Sequence, residues 1–146
     1  MLAPTIQRLE YLTTIIPALL TEIGAENFSL KTQPDKWSKK EIIGHLIDSA
    51  TNNHQRFIRG QFEPLPEISY DQNNWNKFNA YQHIDAAQII AFWTSYNKHL
   101  IEIIKRIPSE NLLNEVKIGA NTVTLKFIIE DYVAHLEHHL KQVVEY

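Results

Sequence analysis

The sequence contains no cysteine, which excludes disulfides, a thiolate nucleophile and every zinc site built on cysteine. Histidine, aspartate and glutamate are therefore the side chains left to hold a metal ion. The chain also lacks an excess of positive charge, because its formal net charge is -3 at pH 7. A nucleic-acid-binding domain usually carries a basic patch, so we expect no nucleic-acid partner.

Long uninterrupted hydrophobic runs are also missing. The N-terminal segment is apolar in places, but Arg8, Glu10 and Glu22 interrupt it, and no small-residue cleavage site follows a clean apolar core. We interpret this segment as an amphipathic helix rather than a signal peptide or a membrane span. We therefore expect a cytoplasmic protein with no membrane partner.

The composition is typical of a globular domain. The chain has 146 residues, of which 44% are hydrophobic and 21% are charged. No internal repeat, low-complexity tract or linker divides it, so residues 1–146 are predicted to form a single domain.

Four long segments have helical periodicity, and two of the connections between them carry weaker signals. The helical segments run from about Thr5 to Ile23, from Ser38 to Arg59, from Asp85 to about Ile107 and from about Thr124 to Val144. Residues 25–37 are predicted to form a loop, residues 71–80 could form a short helix, and residues 108–123 could form a hairpin around Gly119. Four long helices in a chain of this size predict an all-α fold, a four-helix bundle.

Capping signals mark the starts of three of these helices. Ser38 and Glu41 have the spacing of a capping box, and Asp85 and Gln88 suit a second one. Thr124 is a plausible N-cap residue for the last helix.

Three of the seven histidines lie in the stretch AHLEHHLKQ of the last helix, residues 134–142. On a helical wheel, His139 lies about 40° from His135 on the side of the apolar face, whereas His138 lies about 60° from His135 on the other side. The spacing therefore selects His135 and His139 as an i, i+4 pair and excludes His138. Such pairs also occur by chance on helix surfaces.

The second helix places His45 at the border of its own apolar face. A polar stripe of Asp48, Ser49, Asn52 and Arg56 runs beside it, which suggests a cavity rather than a dry helix seam. Taken alone, a histidine at a core border is more often a structural residue than a ligand. We interpret the remaining histidines as structural or surface residues: His54, His83 and His99.

His45 together with the pair on the last helix would form a tripod of neutral imidazoles. Such a tripod can bind Zn, Ni, Fe or Co and leaves coordination positions for water or substrate. A ligating histidine usually needs an acceptor for its other ring nitrogen. Asp131, one turn before His135, and Asp48, one turn after His45, are the candidates.

Two motifs carry a resemblance to a known family. The first is W-S-x-x-E-x-x-x-H-L-x-D, residues 37–48, and the second is H-x-x-H-H-x-x-Q, residues 135–142. On these motifs, and over essentially its whole length, the chain resembles the DinB/YfiT-like superfamily. The resemblance implies a bundle with up-down-down-up connectivity, often a homodimer, with a metal on three histidines. The matching positions are His45, His135 and His139.

The resemblance also implies a reaction class. Relatives use the metal to activate a low-molecular-weight thiol, such as bacillithiol, mycothiol or glutathione, and others are described as metal-dependent hydrolases. We therefore expect a metal-dependent enzyme that binds Zn, Ni, Fe or Mn, activates a thiol or water, and acts on a small-molecule substrate. The alternative is a non-catalytic, stress-related module that binds a metal or a small molecule.

Two residues of the polar stripe are candidates for contact with the thiol or substrate. Arg56, with Asn52, could pair with a carboxylate. The alternative for Arg56 is a salt bridge on the helix surface. No side chain stands out as a general base, so no catalytic residue is assigned.

Overall fold

Six α-helices and one two-stranded antiparallel sheet make up residues 2–146, the part of the chain that the computed structural model describes. The helices are α1 Ala3–Glu22, α2 Ala25–Ser29, α3 Lys39–Arg59, α4 Gln72–Asn79, α5 Ala86–Lys105 and α6 Leu125–Leu140. The strands are β1 Glu115–Ile118 and β2 Asn121–Thr124. Two short 3₁₀ helices, Tyr81–His83 and Ser109–Leu113, flank α5.

The four long helices α1, α3, α5 and α6 form the predicted four-helix bundle with up-down-down-up order. Helices α3 and α5 run parallel. Ser38 at the start of α3 donates a hydrogen bond to Gln82 just before α5, at 2.6 Å. Asn114, beyond the end of α5, donates to the carbonyl of Gly60 at the end of α3, at 3.1 Å. The long crossover of residues 60–84 permits this parallel arrangement.

Helices α1 and α6 run antiparallel to the central pair α3 and α5. Lys105 at the end of α5 forms an ion pair with Glu10 in the first half of α1, at 2.5 Å. Helix α6 is antiparallel to α3, because His135 contacts His45 near the start of α3. At the other end of the pair, Leu125 at the start of α6 lies beside Gly60.

Two of the predicted helix starts are confirmed by their hydrogen bonds. Ser38 Oγ accepts from the backbone N–H of Glu41 at 3.1 Å, and the Glu41 carboxylate accepts from the backbone N–H of Ser38 at 3.0 Å. This is the complete capping box that the sequence predicts for α3. Thr124 caps α6 by accepting from the backbone N–H of Phe127 at 3.2 Å.

Three details of the predicted elements are wrong. Asp85 precedes α5, but its side chain caps no backbone N–H; the residue is exposed, so water can satisfy the first turn instead. Helix α6 ends at Leu140 rather than near Val144, because residues 141–143 close into a tight turn with i→i+3 hydrogen bonds. The segment after Gly24 was predicted as a loop and contains the short helix α2.

The predicted hairpin is confirmed, and it is joined to the crossover. Gly119 turns the chain at a φ of +60°, which suits glycine. Beside the hairpin, the Ile68 N–H donates to the Lys117 carbonyl at 3.0 Å, and the Lys117 N–H donates to the Pro66 carbonyl at 2.9 Å. The crossover therefore extends along β1.

The crossover also packs closely on α3. A Cβ placed on Gly44 would lie 2.2 Å from Cδ2 of Tyr81, so only glycine lets this ring rest on the helix backbone. The hydroxyl of Tyr81 thereby reaches Asp48 one turn further along and donates to its carboxylate at 2.5 Å.

Helix α3 is buried around most of its circumference and includes a buried polar column. The buried polar residues of this helix beyond its first turn are His45, Asp48, Ser49, Asn52, Asn53 and Arg56. None of the helices within residues 2–146 combines the length and the apolar character that crossing a bilayer requires.

Candidate metal centre

Three imidazoles converge between α3 and α6. His45 comes from α3, and His135 and His139 lie one turn apart on α6. One ring nitrogen of each residue lies within 4.8 Å of the others, and Nε2 of His45 is 3.3 Å from Nε2 of His135. Within residues 2–146 this is the only group of three potential ligands with such spacing. His138 is exposed and lies outside it.

Two of the three rings, His45 and His135, are held in the neutral form that can ligate a metal. His45 is completely buried, and burial, followed by the proximity of His135 and His139, lowers its pKa to about 4. Burial and the neighbouring His139 also lower the pKa of His135, against the opposing field of Asp131. Protonating the cluster would place like charges side by side in a poorly solvated site.

The orientation of His139 is fixed by Gln142. Nδ1 of the ring lies 3.0 Å from Oε1 of Gln142, and an amide oxygen can only accept a hydrogen bond. Nδ1 therefore carries the proton, which leaves the lone pair on Nε2. The turn that ends α6 at Leu140 brings Gln142 to this position.

The donor set fits a divalent transition metal. Two nitrogens bound to a tetrahedral ion at about 2.1 Å lie about 3.4 Å apart, close to the separation between His45 and His135. The same separation is long for a direct N–H···N hydrogen bond. The ring of Trp37, with its centroid 5.0 Å from that of His45, covers this imidazole.

Neither Asp48 nor Asp131, the two carboxylates predicted to accept a hydrogen bond from a ring nitrogen, does so. Asp48 accepts from the hydroxyl of Tyr81 and from the side-chain amide of Asn79, at 2.5 and 2.9 Å, and not from His45. Burial raises the pKa of Asp48 to about 6. Asp131 is exposed and acts on His135 only through its field. Nδ1 of His45 is buried and has no hydrogen-bond partner in the described part of the chain.

A cavity of about 130 Å³ opens beside His135. It lies between α3, α6, the crossover and the hairpin. Its lining residues are Ser49, Asn53, Arg56, Tyr70, Ile118, Phe127, Ile128, Asp131, Tyr132 and His135. The polar column of α3 thus continues from the histidine cluster into the cavity wall.

The two residues predicted to contact substrate have different surroundings. Arg56 lines the cavity, is 8% exposed, and donates to the carbonyl of Ile68 from Nε and Nη2 and to Asn53 from Nη1. It forms none of the surface salt bridges weighed as its alternative. Asn52 donates to the carbonyl of Asp48 in its own helix at 2.9 Å and is not part of the cavity wall.

A second recess is lined by two residues that contact histidines of the cluster. Its lining includes Trp37, which covers His45, and Gln142, which binds His139. Residues that line two separate recesses therefore belong to the histidine cluster or contact it.

Sequence reasoning missed three residues around the site. Gln142 stands in the quoted C-terminal motif three positions after His139, so its spacing was a usable signal. Tyr70 and Tyr81 come from the crossover, where no periodicity indicates which side chains turn inward.

The chain belongs to the DinB superfamily, whose family model matches residues 8–143. It is 22% identical over 116 residues to YfiT of Bacillus subtilis (strain 168), and the match covers 75% of this chain. The chain spans 63% of the length of that curated relative.

Two solved structures share the fold. One is YfiT from Bacillus subtilis, described as a probable metal-dependent hydrolase with an unusual four-helix bundle topology; its TM-score is 0.82 at 20% identity, covering 97% of this chain and 82% of that one. The other is a mycothiol-dependent maleylpyruvate isomerase, with a TM-score of 0.81 at 10% identity, covering 98% of this chain and 60% of that one. At these identities the likeness supports the fold.

Proposed function

We propose that His45, His135 and His139 hold a divalent metal, either Zn, Ni, Fe or Mn, and that the protein is a metal-dependent enzyme. Its reaction would use an activated low-molecular-weight thiol or an activated water, as an S-transferase or a hydrolase. The observation that carries this proposal is the convergence of three imidazoles, one of which lines a cavity.

The chain's own residues have distinct tasks in this proposal. The three imidazoles would supply the nitrogen donors, and Gln142 holds Nδ1 of His139 so that Nε2 is the nitrogen left to bind the ion. Trp37 shields His45 from water. A divalent ion in such a site is a Lewis acid that lowers the pKa of water or of a thiol. The cavity beside His135 would place the substrate next to this centre.

The similar proteins support both forms of the reaction. YfiT is described as a probable metal-dependent hydrolase, and the isomerase is mycothiol-dependent. One recess lined by His135 and a second lined by Trp37 and Gln142, which contact His45 and His139, would suit a reaction with two substrates, a thiol and its acceptor. This observation favours the thiol-dependent form over hydrolysis.

A paired activity screen tests the proposal. Untagged protein loaded with each of the four metals is assayed for conjugation of bacillithiol, mycothiol and glutathione to electrophiles and for hydrolysis of esters and amides. We expect turnover that His139→Ala abolishes and that His138→Ala, a change at the exposed neighbour, leaves intact. Stoichiometric metal with no turnover in any assay would contradict the enzyme and favour the non-catalytic binding module.

We also propose that the protein is a cytoplasmic homodimer. Support for an interface comes from α5, where the half-exposed Phe92 packs its ring 5.4 Å from that of Tyr96. Light scattering of the purified protein should give twice the 17.0 kDa mass of one chain, and a monomer mass would contradict the dimer.

A further inference from the structure

The cavity beside His135 contains two opposite charges that do not pair with each other. Arg56 enters from α3 and Asp131 from α6, and both line the cavity. The guanidinium bonds instead to the Ile68 carbonyl and to Asn53. Within residues 2–146, the carboxylate of Asp131 accepts no hydrogen bond and forms no ion pair.

Arg56 retains donors for a further partner. A guanidinium has five N–H groups, and the three hydrogen bonds to Ile68 and Asn53 use three of them. The remaining two belong to a side chain that is 8% exposed and lines the cavity. A buried cation with unused donors is a favourable site for a carboxylate.

Asp131 offers the complementary partner. Its carboxylate can accept hydrogen bonds from an ammonium group, and the residue lies on the same side of α6 as His135, one turn away. A ligand with only a carboxylate would forgo an ion pair with the exposed Asp131, and a ligand with only an amine would leave the buried Arg56 donors unpaired. A ligand that carries both charges can pair with both Arg56 and Asp131.

The size and the remaining lining set a limit on the ligand. A volume of about 130 Å³ corresponds to roughly four water molecules at ~30 Å³ each, which suits a small head group rather than a whole cofactor. Ile118, Phe127 and Ile128 supply apolar surface for a short carbon skeleton.

We propose that this cavity binds a zwitterionic amino-acid head group, with its carboxylate on Arg56 and its ammonium on Asp131, so that the rest of the substrate extends toward His135. The inference names the substrate class of the proposed enzyme and therefore rests on the proposed function. In this proposal the substrate is recognised by residues of the cavity wall, and the reaction takes place at the histidine cluster.

A matched ligand series tests the charge requirement. L-alanine carries both charges, propionate lacks the ammonium, and ethylamine lacks the carboxylate, while all three are small enough for the cavity. Binding to the full-length protein is followed by amide chemical shifts in NMR titrations. We expect L-alanine to bind about tenfold more tightly than either control. Equal affinity for the three ligands would overturn the inference.

Two variants at neighbouring positions distinguish binding of the amino acid in this cavity from its direct chelation of a bound metal. Asp131→Asn keeps the side-chain size and removes the charge, and Glu130→Gln makes the same change at an exposed residue outside the cavity. We expect Asp131→Asn alone to weaken L-alanine binding about tenfold. Equal effects of the two variants would contradict the inference.

The metal content of the same samples distinguishes the two proposals. Stoichiometric metal without Asp131-dependent binding of L-alanine would overturn the head-group site and leave the proposed metal centre standing. Asp131-dependent binding in protein that takes up no metal would support the head-group site and contradict the proposed function.

Discussion

Burial, Gln142 and Asp131 each affect the protonation of a histidine in the cluster. Burial keeps His45 neutral, Gln142 fixes the proton of His139, and the field of Asp131 partly offsets the lowering of the pKa of His135. Because Gln142 and Asp131 lie outside the cluster, each can be replaced without removing a ring nitrogen. We therefore expect such replacements to have graded effects on metal affinity rather than an all-or-none effect.

Gln142 is the clearest case. Replacing Gln142 with Ala removes the acceptor for Nδ1 of His139 and frees the ring to rotate or change tautomer. We expect zinc affinity to fall by about tenfold to a hundredfold, measured by competition with a chromophoric chelator. Lys141→Ala, a change at the exposed residue next to it, is the control. Equal affinities for the two variants would show that Gln142 does not orient the ligand.

Asp48 predicts a pH dependence of stability. Its pKa rises from the ordinary value of 3.8 to about 6 because the carboxyl is buried, so the folded state binds the proton more tightly than the unfolded state. Stability present below pH 4 is therefore lost as the pH rises toward 6. Asp48→Asn stays uncharged and keeps an acceptor for Tyr81, so we expect it to be more stable than the wild type at pH 7 by about 1–3 kcal/mol.

Urea unfolding at pH 4 and pH 7 measures this difference. The advantage of Asp48→Asn should shrink at pH 4, where the wild-type carboxyl is largely protonated. Asp85→Asn, at an exposed carboxylate that caps nothing, should follow the wild type at both values. A constant difference between Asp48→Asn and the wild type would contradict the raised pKa.

At the scale of residues, the sequence predicts the histidine cluster better than the side chains that contact it. The i, i+4 spacing of His135 and His139 and the border position of His45 are properties of single helices, so a helical wheel can find them. Asp48 was expected to support His45, but Tyr81 and Asn79 approach it from the crossover. Helix periodicity carries no information about partners that arrive from an irregular segment.

At the scale of elements, two similar capping signals have different outcomes. Ser38 and Glu41 form both bonds of a capping box, and Ser38 also donates to Gln82 across the bundle. Asp85 has the same spacing to Gln88 but makes no cap bond. Local sequence suggests a cap, and the surrounding packing decides whether the side chain is held in place to make it.

The difference predicts unequal costs of substitution. Ser38→Ala removes a buried N-cap and the bond to Gln82, so we expect the free energy of unfolding to fall by about 1–2 kcal/mol. Asp85→Ala should cost less than about 0.5 kcal/mol, because no hydrogen bond is lost. Chemical denaturation of both variants measures the two values. A cost for Asp85→Ala as large as that for Ser38→Ala would contradict the assignment of the caps.

At the scale of the whole molecule, the crossover connects the fold to the site. Because α3 and α5 are parallel, a long connection must join them. This connection, residues 60–84, contributes Tyr70 to the cavity lining and Tyr81, which contacts α3 at Asp48. The hairpin then closes the cavity with Ile118. The four long helices were predictable from periodicity, whereas the cavity depends on contacts between segments far apart in the chain.

Three of the seven histidines, His45, His135 and His139, are proposed to hold the metal. The direct measurement is metal content by inductively coupled plasma mass spectrometry on untagged protein, comparing the wild type with His45→Ala, His139→Ala and His138→Ala. We expect about one metal ion per chain in the wild type and in His138→Ala, and loss of the ion in the other two variants, with circular dichroism confirming that all four are folded. Stoichiometric metal retained in both His45→Ala and His139→Ala would contradict the three-histidine centre.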